Sequence, residues 1–144
     1  MKTKIAAFAL FAALISGCAS VHVQPVIASK YPIKLVYIRQ NPTVVTKDFL
    51  LVLEDGFQRH GIETKIITGE PPADSDYLLT YSTEDRWDLA LYLRHAELRL
   101  KQGTKLVASA TYHHEGGLGF NKWASTAAKM NPVIDKLLAG FPPQ

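Results

Sequence analysis

Two groups of side chains in this sequence are of the types that bind metal ions. His113, His114 and Glu115 are consecutive, and His95 and Glu97 lie on an earlier segment. Neutral imidazole and carboxylate groups are good zinc ligands, so one hypothesis is a metal-dependent envelope enzyme or a metal carrier. The spacing matches no zinc motif, because there is no HExxH and the HxE lacks the PCxxC partner of zinc deaminases. A solvated polar sheet face that ends in a turn is the simpler interpretation.

The glycine-rich stretch GGLGFNK follows these histidines. Its Gly116, Gly117, Gly119 and Lys122 suggest an anion-binding loop, because backbone N–H groups at a helix N-terminus attract negative charge. The stretch is not a P-loop, since GK[ST] is missing. Alternatively, the glycines serve a tight strand-to-helix connection in which Asn121 caps the helix.

No catalytic residue and no cofactor are predicted, and the sequence leans away from an enzyme. There is no GxSxG nucleophile elbow. Carboxylates around Arg86 can do acid–base work but are more typical of a solvated loop. The aromatic side chains that could line a pocket are more typical of a core; they are Trp87, Tyr92, Phe120 and Trp123.

The first predicted elements are a buried strand and a helix. Residues 33–39 are rich in β-branched side chains. Asn41 and Pro42 suit a helix cap and first turn, and residues 44–60 then predict a helix that stops at Gly61. Spacings of three and four define its apolar stripe, which comprises Phe49, Leu53, Gly56, Phe57 and His60.

Residues 62–68 and 77–82 predict the next two strands. A strand, a helix and a strand in succession favour a right-handed crossover between parallel strands. Residues 86–101 suit a helix by composition, but their alternation favours a long strand with a bulge or two short strands. The phase of that alternation changes near Arg94 and His95.

Residues 105–114 alternate cleanly and predict a strand antiparallel to the preceding one. Because a slip of one residue exchanges the two faces of a strand, we predict a three-residue loop over residues 102–104. This register pairs Leu100 with Leu106, Leu98 with Ala108 and Ala96 with Ala110. On the outer face it places His95 opposite Thr111, Glu97 opposite Ser109, and His113 diagonal to His95.

The last predicted element is a helix over residues 121–138. Its stripe contains Trp123, Ala127, Met130, Ile134 and Leu137. Pro132 lies inside it, so we expect a kink or a break at Asn131. The predicted fold is an α/β two-layer domain, resembling an α+β sandwich, with a mixed sheet in the order β-α-β-β-β-β-α and helices on one face.

The N-terminus has the features of a lipoprotein signal. Lys2 and Lys4 precede the apolar run 5–15, which is shorter than the roughly 20 residues that span a membrane. The ISGC sequence that ends at Cys18 resembles the bacterial lipobox. The resemblance implies a signal peptide over residues 1–17 and a diacylglyceryl group on the Cys18 thiol, with a further fatty chain such as palmitate on the new N-terminus.

Ala19 follows the cysteine, where an Asp resembles the inner-membrane retention signal. We therefore expect the outer membrane, with the domain facing the periplasm. Residues 18–32 predict a lipidated tether without regular structure, since two prolines interrupt them. Residues 33–141 predict a single domain.

Composition excludes a nucleic-acid partner. The formal charge of the full chain is +3, and it falls to +1 when Lys2 and Lys4 are removed with the signal. No basic run or basic helix face remains. Cys18 is the only cysteine, so the domain must be held by packing rather than by disulfides.

The chain resembles a family of small proteobacterial outer-membrane lipoproteins that has no assigned activity. The resemblance covers residues 33–138 and is carried by VLEDGFQRHGI, DYLLTYS, RWDLALYLRHAELRL, ASATY and NKWASTAAKMNPVIDKLL. It implies the localisation and the α/β class and supplies no catalytic residues. We expect a binding or scaffolding module attached to the membrane through its lipid, whose partner is an envelope protein, peptidoglycan or a lipid.

Overall fold

A computed structural model describes residues 19–116 and 119–144 of this chain. The signal peptide, Cys18 and Gly117 therefore lie outside the described residues. The elements, in chain order, are β1 (Ala19–Gln24), β2 (Leu35–Arg39), α1 (Phe49–Arg59), β3 (Glu63–Ile67), β4 (Tyr77–Asp88), β5 (Ala90–Gln102), β6 (Lys105–His114), a 3-10 helix (Phe120–Trp123) and α2 (Thr126–Leu137).

The strands form one open mixed sheet of six strands in the order β1-β6-β5-β4-β2-β3. Strand β2 is parallel to both β3 and β4, as the predicted crossover requires, and the other neighbours are antiparallel. The two α-helices contact each other and the sheet. The α+β two-layer class predicted from the sequence is confirmed. Within the described part of the chain, no helix has the length and apolarity needed to cross a bilayer.

Strand β1 corrects the prediction that residues 18–32 contain no regular element. Residues 19–24 alternate in burial and pair antiparallel with β6, from Ala19 opposite His114 to Gln24 opposite Ser109. Val21 and Val23 face Tyr112 and Ala110, so their apolar side chains extend the inner face of the sheet. The prolines at 25 and 32 lie beyond the strand and do not interrupt it.

Helix α1 begins five residues later than predicted. Its apolar stripe is buried as expected, and Gly61 ends it with a positive φ of 70°. The predicted cap, Asn41, instead closes a turn: its Oδ1 accepts from the Thr43 N–H at 3.1 Å, and its Nδ2 donates to the Tyr81 carbonyl at 2.9 Å. These bonds tie the loop to β4 before the helix starts.

Strands β4 and β5 form one long hairpin. Glu84 is opposite His95 and Asp85 is opposite Leu93, so Arg94 is the extra residue of a β-bulge. The sequence prediction of a bulge at this phase change is confirmed. Leu89 alone connects Asp88 to its partner Ala90 and has φ 59°.

The β5–β6 connection corrects the predicted register. Gln102 pairs with Lys105, so the turn has two residues, Gly103 and Thr104, rather than three. Lys101 then pairs with Leu106 and Leu100 with Ala108, which makes Val107 the extra residue of a second bulge. The bulge places the apolar side chains of β5 and β6 on the same face of the sheet. The three-residue loop was predicted for the same reason.

The C-terminal helix also starts later than predicted. Ser125, not Asn121, caps α2, and its Oγ accepts from the Ala128 N–H at 3.1 Å. A break at Asn131 is wrong, because α2 runs through Pro132, and the alternative of a kink there stays a prediction. The missing proline N–H leaves the carbonyl of Ala128 without its helical donor, and Ala128 lies on the exposed side, where water reaches it.

Candidate functional site

The predicted His/Glu cluster does not assemble. Side chains of successive strand residues point to opposite faces, and His114 is fully buried whereas His113 faces the open side. Glu115 is exposed beyond the strand, and Glu97 accepts from Arg99 at 3.2 Å. Among residues 19–116 and 119–144, no group of three or more His, Cys, Asp or Glu side chains is placed to hold a metal ion.

His95 and His113 do meet, and more directly than predicted. The register places them opposite each other, and their ring centroids are 5.7 Å apart at an interplanar angle of 62°. Glu84 faces His95 from β4, but its carboxylate pairs with Arg86 at 3.0 Å and Arg94 at 3.4 Å. The hydrogen bond from Arg86 lowers the pKa of Glu84 more than its slight burial raises it. The two imidazoles thus lie among paired charges.

Lys122 is not available to a bound anion in the way the sequence suggested. It is buried, its ammonium group bonds to the Asp88 carboxylate, and it lies 4.8 Å from the centre of the Tyr92 ring. The helix that follows Gly119 is a four-residue 3-10 helix rather than a long helix with an exposed N-terminus. The described part of the glycine-rich loop therefore belongs to the connection from β6 to the 3-10 helix.

A second buried lysine joins the same region. Lys129 of α2 donates to the Leu93 carbonyl at 3.1 Å and to the Lys122 carbonyl at 2.6 Å. Burial lowers the pKa of Lys129, and the charge of Asp85 partly opposes that effect. Because the bonds satisfy carbonyl groups at the hairpin and at the 3-10 helix, Lys129 holds both to α2.

The distal part of the β4–β5 hairpin carries the most exposed large apolar side chains of the described residues. We call residues 85–93 the arm. Leu89 at its tip is 84% exposed and Trp87 is 75% exposed. Leu91 pairs directly with Trp87 and is half exposed. The sequence analysis expected Trp87 in the core, and the structure corrects that expectation.

A groove of about 410 Å³ lies between the arm, the loop before α1 and the start of α2. Its exposed apolar rim comprises Val45, Leu91 and Trp123. Two carboxylates line it and are held by threonine hydroxyls: Thr46 donates to Asp85 at 2.7 Å, and Thr126 donates to Asp48 at 2.8 Å. The Trp123 indole N–H donates to the Asp88 carbonyl at 3.0 Å. This concave surface has an apolar rim and fixed acceptors, an arrangement that suits binding.

No family model and no curated protein matches this chain. The solved structures that share its fold include two PelC dodecamers from Paraburkholderia phytofirmans. One PelC structure has a TM-score of 0.53 at 15% identity and covers 88% of this chain and 100% of its own. A single-residue variant of PelC has a TM-score of 0.51 at 16% identity and covers 81% of this chain and 97% of its own. The similarity extends over nearly the whole PelC chain and concerns the fold.

Proposed function

We propose that this protein is an outer-membrane lipoprotein whose periplasmic domain is a scaffolding module that binds further copies of itself. The lipid on Cys18 holds the chain at the membrane, and the groove between the arm and the helix starts receives the neighbouring copy. The groove carries this proposal, because exposed apolar side chains gathered around a concave surface mark interaction sites.

The fold comparison supports a copy of the same chain as the partner. PelC, which shares the fold over 97–100% of its length, was solved as a dodecamer. When a surface of one subunit contacts a different surface of the next, identical subunits build a ring if the rotation closes and a filament if it does not. One groove per subunit is sufficient for such an assembly, so no second type of interface is required.

The anchor is tested by fatty-acid labelling of the full chain in its bacterial host. An alkyne fatty acid should label the wild-type protein in the membrane fraction, and Cys18→Ala should lose the label. Equal labelling of the two proteins contradicts lipidation at Cys18. Sedimentation of the labelled protein with outer-membrane rather than inner-membrane vesicles checks the expected location.

Self-assembly is tested by measuring the mass of the detergent-purified full chain by native mass spectrometry. Val45 on the groove rim and Leu51 on α1 form a matched pair, since they are 64% and 61% exposed and only Val45 lines the groove. The wild type and Leu51→Asp should be oligomers, whereas Val45→Asp should dissociate. A monomeric wild type contradicts self-assembly, and an oligomeric Val45→Asp shows that the groove is not the interface.

A further inference from the structure

The arm extends past the rest of the sheet at one end. Among the residues that the structure describes, residues 85–93 pair only with each other, whereas the pairing of β5 with β6 stops at His95 and His113. Five residues separate that level from Leu89 once the bulged Arg94 is set aside. At about 3.3 Å per residue, the tip lies roughly 16 Å beyond the level of His113.

The side chain at the tip is almost fully exposed to solvent. Leu89 is 84% exposed and adopts φ 59°, a conformation that glycine, asparagine or aspartate adopts more readily. A turn selected only for its geometry would carry one of those residues. An apolar side chain that is both strained and solvent-exposed suggests a contact outside the domain.

The charged groups near the tip are largely neutralised within the domain. Asp88 is paired with Lys122, and Glu84 is paired with both Arg86 and Arg94. Trp87 and Leu89 are therefore exposed at the tip, and the acidic residue between them, Asp88, already has its charge paired with Lys122. Tryptophan is the side chain that concentrates at the headgroup level of bilayers, because its ring is apolar and its N–H is polar.

The N-terminus of the domain lies at the same end of the sheet. Ala19 is opposite His114, at the end of β6 from which the arm extends. Cys18 directly precedes Ala19 in the sequence. Combining the strand rise with the strand spacing of about 4.8 Å, we place the tip roughly 20 Å from Ala19.

We propose that the arm tip, formed by Trp87 and Leu89, inserts into the headgroup region of the same membrane that holds the Cys18 lipid. This inference rests on the lipid anchor proposed above. Two attachment points at the same end of the sheet restrict the tilt of the domain along the line that joins them. A lipid chain and an apolar insertion also reinforce each other, since membrane binding gains from each added apolar contact.

The test uses the full lipidated chain in vesicles of phosphatidylethanolamine and phosphatidylglycerol. Trp123→Phe leaves Trp87 as the single tryptophan, which can be excited selectively. Bromine atoms near the headgroup end of the acyl chains should quench the emission of this variant roughly twofold relative to unbrominated vesicles, as for a tryptophan at the interface. Leu89→Asp should abolish most of the quenching. Ile27→Asp should retain it, because Ile27 is 57% exposed and lies beyond the opposite end of β1.

The outcomes separate the anchor from the insertion. If the protein carries the lipid and floats with the vesicles but Trp87 is not quenched, the insertion is wrong and the anchor stands. If the Trp87 emission is not quenched but is blue-shifted to a degree that depends on protein concentration, a second copy of the chain covers the tip. That result overturns the insertion. If Cys18 carries no lipid and Trp87 is still quenched, the insertion stands and the anchor is wrong.

Discussion

Gly56 of α1 and Ile134 of α2 meet where the two helices cross. A methyl group at Gly56 would lie 2.7 Å from Ile134 Cδ1 and 2.8 Å from its Cγ2. Ile134 is fully buried, so it has no free space into which to move. The close approach of the helices therefore depends on the missing side chain at residue 56, although glycine is a poor helix former.

Gly56→Ala should destabilise the domain by roughly 1–2 kcal/mol, because overpacking costs about 1–3 kcal/mol and the gain in helix propensity offsets up to about 1 kcal/mol of it. Urea unfolding monitored by circular dichroism measures the change. Gly69→Ala is the control, since nothing lies within 4 Å of a methyl group at that position, and it should change stability by less than about 0.5 kcal/mol. Equal stability of the wild type and Gly56→Ala would show that the helices can separate without cost.

Asp135 links the same two helices by accepting hydrogen bonds from Arg59 at 2.8 Å and from the buried His60 ring at 3.0 Å. Burial raises the pKa of Asp135, but the bonds from His60 and Arg59 together outweigh it, so the pKa lies below its usual value. Because the pKa of Asp135 is lower in the folded chain than in the unfolded chain, its carboxylate stabilises the fold at pH values above the unfolded pKa of 3.8. This stabilisation is lost as the pH falls through the pKa of the folded chain.

Asp135→Asn should therefore reduce stability at pH 7, and the difference from the wild type should vanish in strong acid. The carboxylate is 49% exposed, so solvent screening limits the loss to less than about 1 kcal/mol. Urea unfolding at pH 7 and pH 3 measures both values. Asp55→Asn removes an exposed carboxylate of α1 and serves as the control. A loss that is the same at both pH values would contradict the electrostatic explanation.

Periodicity predicted those parts of the fold that neighbouring residues determine. The stripe of α1 and the bulge at Arg94 follow from the spacing of apolar side chains, and both are confirmed. The β5–β6 register could not be predicted in the same way. A three-residue loop and a two-residue turn followed by a bulge at Val107 bury the same faces, so alternation alone does not distinguish them.

The candidate site was less accessible to sequence reasoning. Alternation separates His113 from His114 on any strand, so only one of them could have joined His95, whatever the register. The exposure of Trp87 was hidden because it depends on where neighbouring strands stop, which is a property of the sheet. The groove combines residues from three distant segments, and no local pattern of residues predicts that combination.

His114 should make the domain sensitive to mild acid. Its ring is fully buried, and neither ring nitrogen has a hydrogen-bond partner among the described residues. Burial, followed by the charges of Lys129, Lys122 and His113, lowers the pKa of His114 below 6.5. The unfolded chain then binds a proton more readily than the folded one. Stability is complete above pH 6.5 and falls below it by up to about 1.4 kcal/mol per pH unit, until the folded pKa is reached.

Urea unfolding between pH 7.5 and pH 5 measures this slope. His114→Leu should remove most of it, because the unfolded chain no longer gains the extra proton. At pH 7.5 the same variant should be as stable as the wild type or more stable, since an apolar group replaces a buried polar one without hydrogen-bond partners in the described structure. His22→Leu, at the exposed edge strand, should retain the wild-type slope. An unchanged slope in His114→Leu would assign the acid sensitivity to other groups.

Leu89→Asn tests whether the tip residue is kept at a cost to folding. Asparagine tolerates the positive φ of residue 89 better than leucine does, so the variant should be more stable in detergent by about 0.5–1 kcal/mol. The same variant should bind vesicles less tightly, because its tip lacks the apolar side chain. Urea unfolding and vesicle flotation of the full chain measure the two effects. A gain in stability together with weaker vesicle binding would show that Leu89 serves a contact outside the domain at the expense of stability. A loss of stability in Leu89→Asn would instead mean that leucine at this position supports the fold.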